Sequence, residues 1–148
     1  MTLKANYWQV KTLEEMTPEE WEALCDGCGR CCLHKIVDAE SGQVRFTCVA
    51  CRLLDRTTCL CKHYQHRADI VSDCLVLTAE NVHRIDWLPE SCAYRRIAEG
   101  RGLAWWHPLV SGNSNTVHQA GISVQGGLVS ESDINLYRLQ DYIVNWFN

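Results

Sequence analysis

The sequence has no long uninterrupted apolar stretch, and its opening MTLKANYWQVKTLEEM carries lysines with no apolar run behind them. A membrane-spanning helix needs about 20 predominantly apolar residues in succession, so no membrane insertion and no secretion signal are expected. Positive charge is also in short supply. Fourteen Lys and Arg stand against 18 Asp and Glu, for a formal charge of −4 and an isoelectric point near 5.8. The basic residues are scattered among acids, and phosphate binding needs a concentrated basic surface, so nucleic acid is not an expected partner. Internal repeats, low-complexity tracts, long linkers, a phosphate loop, a nucleophile–base pair and paired carboxylates are all missing. Without them no catalytic residue, cofactor fingerprint or substrate is indicated, and the reading leans away from an enzyme.

Cysteine is what the chain has in excess: positions 25, 28, 31, 32, 48, 51, 59, 61, 74 and 92, with none afterwards. In the absence of a signal peptide the expected compartment is the reducing cytoplasm, where thiols bind metals or react rather than form a disulfide scaffold. At 148 residues and 47% hydrophobic content, the chain is expected to form one domain over 1–148.

Local signals predict a small α+β or mostly α fold: a cysteine-rich, metal-stabilised single domain with irregular loops and a C-terminal helix. In MTPEEWEALC, Thr17 is an N-cap, Pro18 the first helical residue and Glu20 the partner in a capping box, predicting a short helix that runs into Cys25. Gly27 and Gly29 allow the positive-φ turns of a metal knuckle, so CDGCGRCC reads as a loop. The run VRFTCVACRLL, Val44 to Leu54, reads as a short strand or irregular buried segment. Thr78 is a cap before AENVHRIDW, and Pro89 opens a helix with Cys92 in its first turn and glycines at its end. HPLVSGNSNTVHQAGISVQGGLVSES reads as turns and short strands. A terminal helix is expected from about Ser132 to Phe147, with Leu136, Leu139, Ile143 and Trp146 as a packing stripe.

The thiols are numerous enough for two tetrahedral zinc sites, each of four sulfur or imidazole ligands. Cys25, Cys28, Cys31, Cys32, Cys51, Cys59 and Cys61 are too densely spaced, among glycines and basic residues, for packing alone. Cys74 and Cys92 are isolated, and spacing leaves them open between ligand and small buried hydrophobe. Cys48 forms a CVAC knuckle with Cys51 but lies on an apolar run. The adjacency of Cys31 and Cys32 suggests divergent side chains, one joining Cys25 and Cys28 and the other serving a second centre. The C-x2-C-x2-C spacing of Cys25, Cys28 and Cys31 also matches three corners of a bacterial ferredoxin cluster, although CCLHK replaces the x3-C-P continuation. Zinc, iron and an iron–sulfur cluster all remain open, as two ions or one polynuclear cluster. His34, His63 and His66 lie near the thiols as candidate ligands or outer-shell groups. His107 and His118, polar amid apolar neighbours, read as hydrogen-bonded structural residues.

The ordered segments CDGCGRCCLHK, ACRLLD, TCLCKHY, DCLVLT, WLPESCAYR and WHPLVSG closely resemble the bacterial YcgN-like family, in a match that covers roughly Trp21 to Val124. That family belongs to the CxxCxxCC (YkgJ-type) group of zinc- or iron-chelating proteins. The resemblance implies metal ligation by Cys25, Cys28, Cys31, Cys32, Cys51, Cys59, Cys61, Cys74 and Cys92, departs from the family pattern at Cys48, and assigns no reaction. Metal binding is therefore the leading expectation. An iron–sulfur redox protein or enzyme is the first alternative, and a thiol oxidoreductase the second, weakened by the absence of the strand–CxxC–long helix context.

Overall fold

The computed structural model describes residues 5–71, 74 and 76–145. In chain order the elements are α1 (Tyr7–Val10), a 3-10 turn (Leu13–Glu15), α2 (Pro18–Glu22), a 3-10 turn (Arg30–Cys32), β1 (Leu33–Val37), β2 (Val44–Ala50), a 3-10 turn (Tyr64–His66) and α3 (Arg67–Ile70). A 3-10 turn (Val82–Arg84), α4 (Ala93–Ala98), α5 (Pro108–Ser111), α6 (Thr116–Gln119), β3 (Val129–Ser130) and 3-10 segments Glu131–Asp133 and Leu136–Tyr142 follow. The architecture is mixed: short helices and one three-stranded sheet in the order β1-β2-β3. No helix among the described residues is long and apolar enough to cross a membrane. The chain divides into two compact units, one of Met1–Cys28 with Val76–Ile122 and one of Gly29–Leu75 with Ser123–Asn148.

The first unit is helical, and capping explains most of it. Thr17 Oγ1 accepts the Glu20 amide at 3.2 Å, while Glu20 Oε1 accepts the Thr17 amide at 2.9 Å. This capping box satisfies two amides that the first turn would otherwise leave unpaired. The same carboxylate takes Lys11 Nζ at 2.7 Å, and the Lys11 bond, followed by the Thr17 amide, holds the Glu20 carboxyl below its ordinary range. The buried Tyr7 hydroxyl donates to the Glu20 carbonyl at 2.7 Å. Burial, reinforced by the charge of Glu20, pushes Tyr7 up to about 12.

The α2 helix stops sooner than the sequence suggests. Its C-cap is Ala23, so it does not run into Cys25. The carbonyl of Leu24 instead faces the ring of His107, whose Nε2 lies 2.7 Å away. At α4 the expected start also moves: the Cys92 amide bonds the Pro89 carbonyl in a preceding turn, and Cys92 becomes the N-cap rather than a first-turn residue. Gly100 and Gly102, both at positive φ, end that stretch as expected. Tyr94 packs on Trp21 at 4.6 Å between ring centroids and donates its hydroxyl to the Trp21 carbonyl at 2.8 Å. Thr78 and Asn81 exchange side-chain and backbone bonds as a cap would, but only a 3-10 turn follows.

Two further expectations are corrected. The stretch from His107 onward was expected to form turns and short strands, yet it holds the one-turn helices α5 and α6. Pro108 sits at the first position of α5 and His107 Nδ1 accepts the Leu109 amide at 3.0 Å, so a histidine supplies the cap that Ser or Asp usually gives. The terminal α-helix is also absent from the described residues, where the 3-10 segments Glu131–Asp133 and Leu136–Tyr142, the second kinked at Arg138, stand in its place. Ile143 bridges Thr47 antiparallel, and the Val144 amide bonds the Phe46 carbonyl at 3.0 Å. Backbone groups used by the sheet cannot also serve a helix, and Leu136 is half exposed rather than part of a packing stripe. Trp146 and Phe147 lie outside the described residues.

The second unit is built on the sheet. β1 and β2 form an antiparallel hairpin closed by Asp38, whose Oδ1 accepts the amides of Glu40 and Ser41, each at 2.9 Å. β2 is the strand expected in the Val44 to Leu54 run, and β1, in LHKIV, is an addition. β3 pairs parallel to β2 through Val49–Val129 and Ala50–Ser130. Leu33, Ala50, Leu54, Cys59 and Val124 form a small buried core, with Cys32, Phe46 and Leu128 packed against it.

Candidate metal centre

The signature CDGCGRCC is irregular from Cys25 to Gly29 and then tightens into the Arg30–Cys32 turn. Gly27 and Gly29 adopt φ of 76° and 77°, as the knuckle reading requires. At Gly29 the need is steric as well, because a Cβ there would stand 2.9 Å from Val124 Cγ2. The boundary between the two units falls inside the motif, after Cys28.

In the sheet unit, register gathers the thiols. The Cys51 amide donates to the Cys32 carbonyl at 2.9 Å, extending the hairpin by one residue past the Leu33–Ala50 pair. Leu54 bridges Cys61, which returns that segment beside the strand end. The side chains of Cys31 and Cys32 hydrogen-bond to each other, and Cys32 also feels the charges of Cys51 and Cys61. Cys74 lies within electrostatic reach of Cys51, Cys61 and Cys31. Five of the nine candidate ligands thus share one neighbourhood. Cys31 and Cys32 do not diverge as expected: a 3-10 turn separates adjacent side chains by about 120°, where extended backbone would set them on opposite faces.

Crowding without a cation disfavours thiolates. The Cys31 contact, then burial, then the neighbouring sulfur charges push the Cys32 thiol far up. Burial is the chief cause of the upward shifts of Cys51 and Cys74. Lys35 donates to the carbonyls of Leu33 and Cys31 at 2.7 and 3.1 Å. Burial lowers its ammonium pKa, against the opposing pull of Cys31 and Cys32. Beside the thiols, one oxygen of Glu131 bonds His34 Nε2, and the other lies 3.4 Å from Arg52 Nη1. Burial raises the Glu131 carboxyl, but the bonds from His34 and Arg52 outweigh it and the net shift is downward.

The remaining candidates are placed elsewhere. Cys59 is 3% exposed in the apolar core at φ 63°, with hydrogen bonds to Ser123 and Val124, and burial raises its thiol. Cys48 is half-buried on β2. Exposed Cys25 and half-buried Cys28 and Cys92 belong to the helical unit. There Asp26 Oδ1 accepts the Cys28 amide at 3.0 Å, while its buried Oδ2 has no hydrogen-bond partner among the described residues. His63 and His66 are exposed and His118 half-buried. His107 is 2% exposed and doubly hydrogen-bonded, and burial lowers its pKa. With Nδ1 accepting, its Nε2–H donates to Leu24, so the ring is a neutral structural link.

Among the described residues, no three His, Cys, Asp or Glu side chains are already grouped as a cage for one ion. The donor chemistry nevertheless suits a soft or borderline metal: five thiols joined by pairwise electrostatic interactions, with the Glu131 carboxylate within reach of Cys51 and the His34 imidazole bonded to that carboxylate. All five thiols are among the sequence candidates, whereas Glu131 is not: VSES does not mark it, and only the β2–β3 pairing brings it to Cys51.

A family model described as "Putative zinc- or iron-chelating domain" (CxxCxxCC) matches residues 24–93. A UPF0260 protein of Rhizobium etli is 56% identical over 140 residues, covering 95% of this chain and 89% of its own. The chain belongs to the UPF0260 family. A member from Rhodopseudomonas palustris is 55% identical over 141 residues, covering 95% of this chain and 83% of its own. Another from Allorhizobium ampelinum is 57% identical over 140 residues, covering 95% and 88%. No solved structure matches.

Proposed function

We propose that this UPF0260 member is a metal-chelating protein whose thiolates hold zinc or iron. The observation that carries the reading is that Cys32 and Cys51 are joined at the end of the β1–β2 hairpin, with Cys31, Cys61 and Cys74 in electrostatic reach of them or of each other. A bound cation would stabilise the ionised thiols that crowding and burial otherwise disfavour. Cys25, Cys28 and Cys92, with the unpartnered Asp26 oxygen, are the donors available to a second ion in the helical unit. Cys59 is read as core, and Cys48 as dispensable. The YcgN-like subgroup, a single metal-binding domain over 1–148, two ions or one polynuclear cluster, and a cytoplasmic setting complete the reading. The chelating-domain match, residues 24–93, includes sequence from both units, which supports the single-domain reading. The acidic charge argues against a nucleic-acid partner.

Metal analysis of anaerobically purified protein, together with its absorption spectrum, tests the function. Zinc or iron at one to two equivalents is expected. Colour with sulfide would favour the iron–sulfur alternative, suggested by the Cys25, Cys28, Cys31 spacing. Folded, fully reduced protein that neither contains nor takes up metal overturns it.

A further inference from the structure

We propose that His34 contributes a nitrogen ligand through Nδ1 to the metal held by the sheet-unit thiols, and that Glu131 is the positioning residue that fixes its ring. The inference rests on the metal-chelating reading and adds two residues to it. β2 and β3 run parallel with Ala50 paired to Ser130, so Cys51 and Glu131 leave the sheet side by side. On the other side of Cys51, its amide bonds the Cys32 carbonyl. His34 begins two residues after Cys32, on β1. The Thr47 hydroxyl, buried, donates to the His34 carbonyl at 2.8 Å and fixes its backbone.

The ring is held as firmly as the backbone. Glu131 Oε2 engages Nε2 of His34, and Glu131 Oε1 is itself tethered by Arg52 at 3.4 Å. A carboxylate can only accept, so Nε2 carries the hydrogen. In the neutral ring the lone pair then lies on Nδ1, which has no hydrogen-bond partner among the described residues. Metal-ligating histidines commonly donate their other ring nitrogen to a carboxylate in this way, fixing tautomer and orientation and increasing ligand basicity. The carboxylate comes from outside the matched chelating domain, residues 24–93, which gives the C-terminal segment a part in metal binding. An ordinary ion pair would use the same Nε2 contact but would leave the metal's ligand shell unchanged when His34 is replaced.

X-ray absorption on the anaerobically purified protein, and visible spectra of its cobalt(II)-loaded form, separate the two. The expected wild-type signal includes imidazole scattering along with sulfur. His34→Ala should lose that scattering, shift the cobalt bands and recover them with added imidazole. Glu131→Gln should retain nitrogen in the shell but weaken metal affinity about 10–100-fold. An all-sulfur wild-type shell overturns the proposal whether or not either variant folds, as does a His34→Ala protein with unchanged spectrum and affinity. Wild-type protein that binds no metal overturns the function reading itself, a distinct failure.

Discussion

The helical unit holds three cysteines and the sheet unit seven, and the two differ in what stabilises them. The helical unit has large buried side chains such as Tyr7, Leu24, Leu88 and Val117, a completed capping box, and the two-bond His107 link. The sheet unit has a core cluster of five buried residues, one of them Cys59. With Val49 and Leu53 also buried, the fully buried apolar residues of this unit among the described residues include no aromatic, whereas the helical unit buries Tyr7, Trp8 and Tyr94. Thiols are thus most numerous in the unit whose buried apolar side chains are aliphatic or Cys rather than aromatic, and coordination there would add stability of a kind that apolar packing does not supply.

Metal removal should break that comparison most strongly. Stripping the metal should greatly reduce amide-exchange protection in β1 and β2, since structural zinc contributes on the order of 10 kcal/mol in small domains. Protection in α2 and α4 should fall less, and equal loss in both units would refute the contrast. The next effect runs the other way. His107→Ala removes two hydrogen bonds and a buried ring, and should destabilise the protein by about 3 kcal/mol in a denaturant titration while leaving bound metal unchanged.

The same histidine gives a pH signature. Its folded pKa lies below the unfolded value of about 6.5, so the unfolded state binds more protons between the two. The stability it contributes is complete above about pH 6.5 and is lost as pH falls through the depressed folded value. Thermal melts of wild type and His107→Gln across pH 4 to 8 should show the acid-side loss reduced in the variant, at about the slope of one proton.

Cys59 and Cys61 sharpen the contrast at two-residue spacing. Cys59→Ala should cost about 1–2 kcal/mol of stability through lost core contacts and retain the metal-to-protein ratio. Cys61→Ala should lower that ratio. Metal loss in Cys59→Ala comparable to that in Cys61→Ala would return Cys59 to the ligand set. The smallest effect is expected for Cys48→Ser, which should keep full metal content by elemental analysis.

Several features were legible because their causes are local. The Thr17–Glu20 box, positive φ at Gly27 and Gly29, and the β2 strand follow from capping chemistry, the missing Cβ and a run rich in β-branched, aromatic and apolar residues. Helix limits were harder to read, since the His107 ring takes the Leu24 carbonyl from 83 residues away and caps α5 where no usual capping residue stands. The terminal stripe had helical spacing, but sheet pairing at Thr47 and Phe46 claimed the backbone of Ile143 and Val144.

By itself the sequence determined the abundance and clustering of thiols, the glycine positions that allow a tight loop, and the acidic charge balance. Tertiary structure decided which thiols meet. Only the fold separates Cys59, turned into the core, from Cys61, and only the pairing of Ala50 with Ser130 brings Glu131 beside Cys51 and to His34. The reason is that residue type and short spacing encode ligand chemistry and local turns, whereas strand register joins residues far apart in sequence through backbone bonds that carry no side-chain signature.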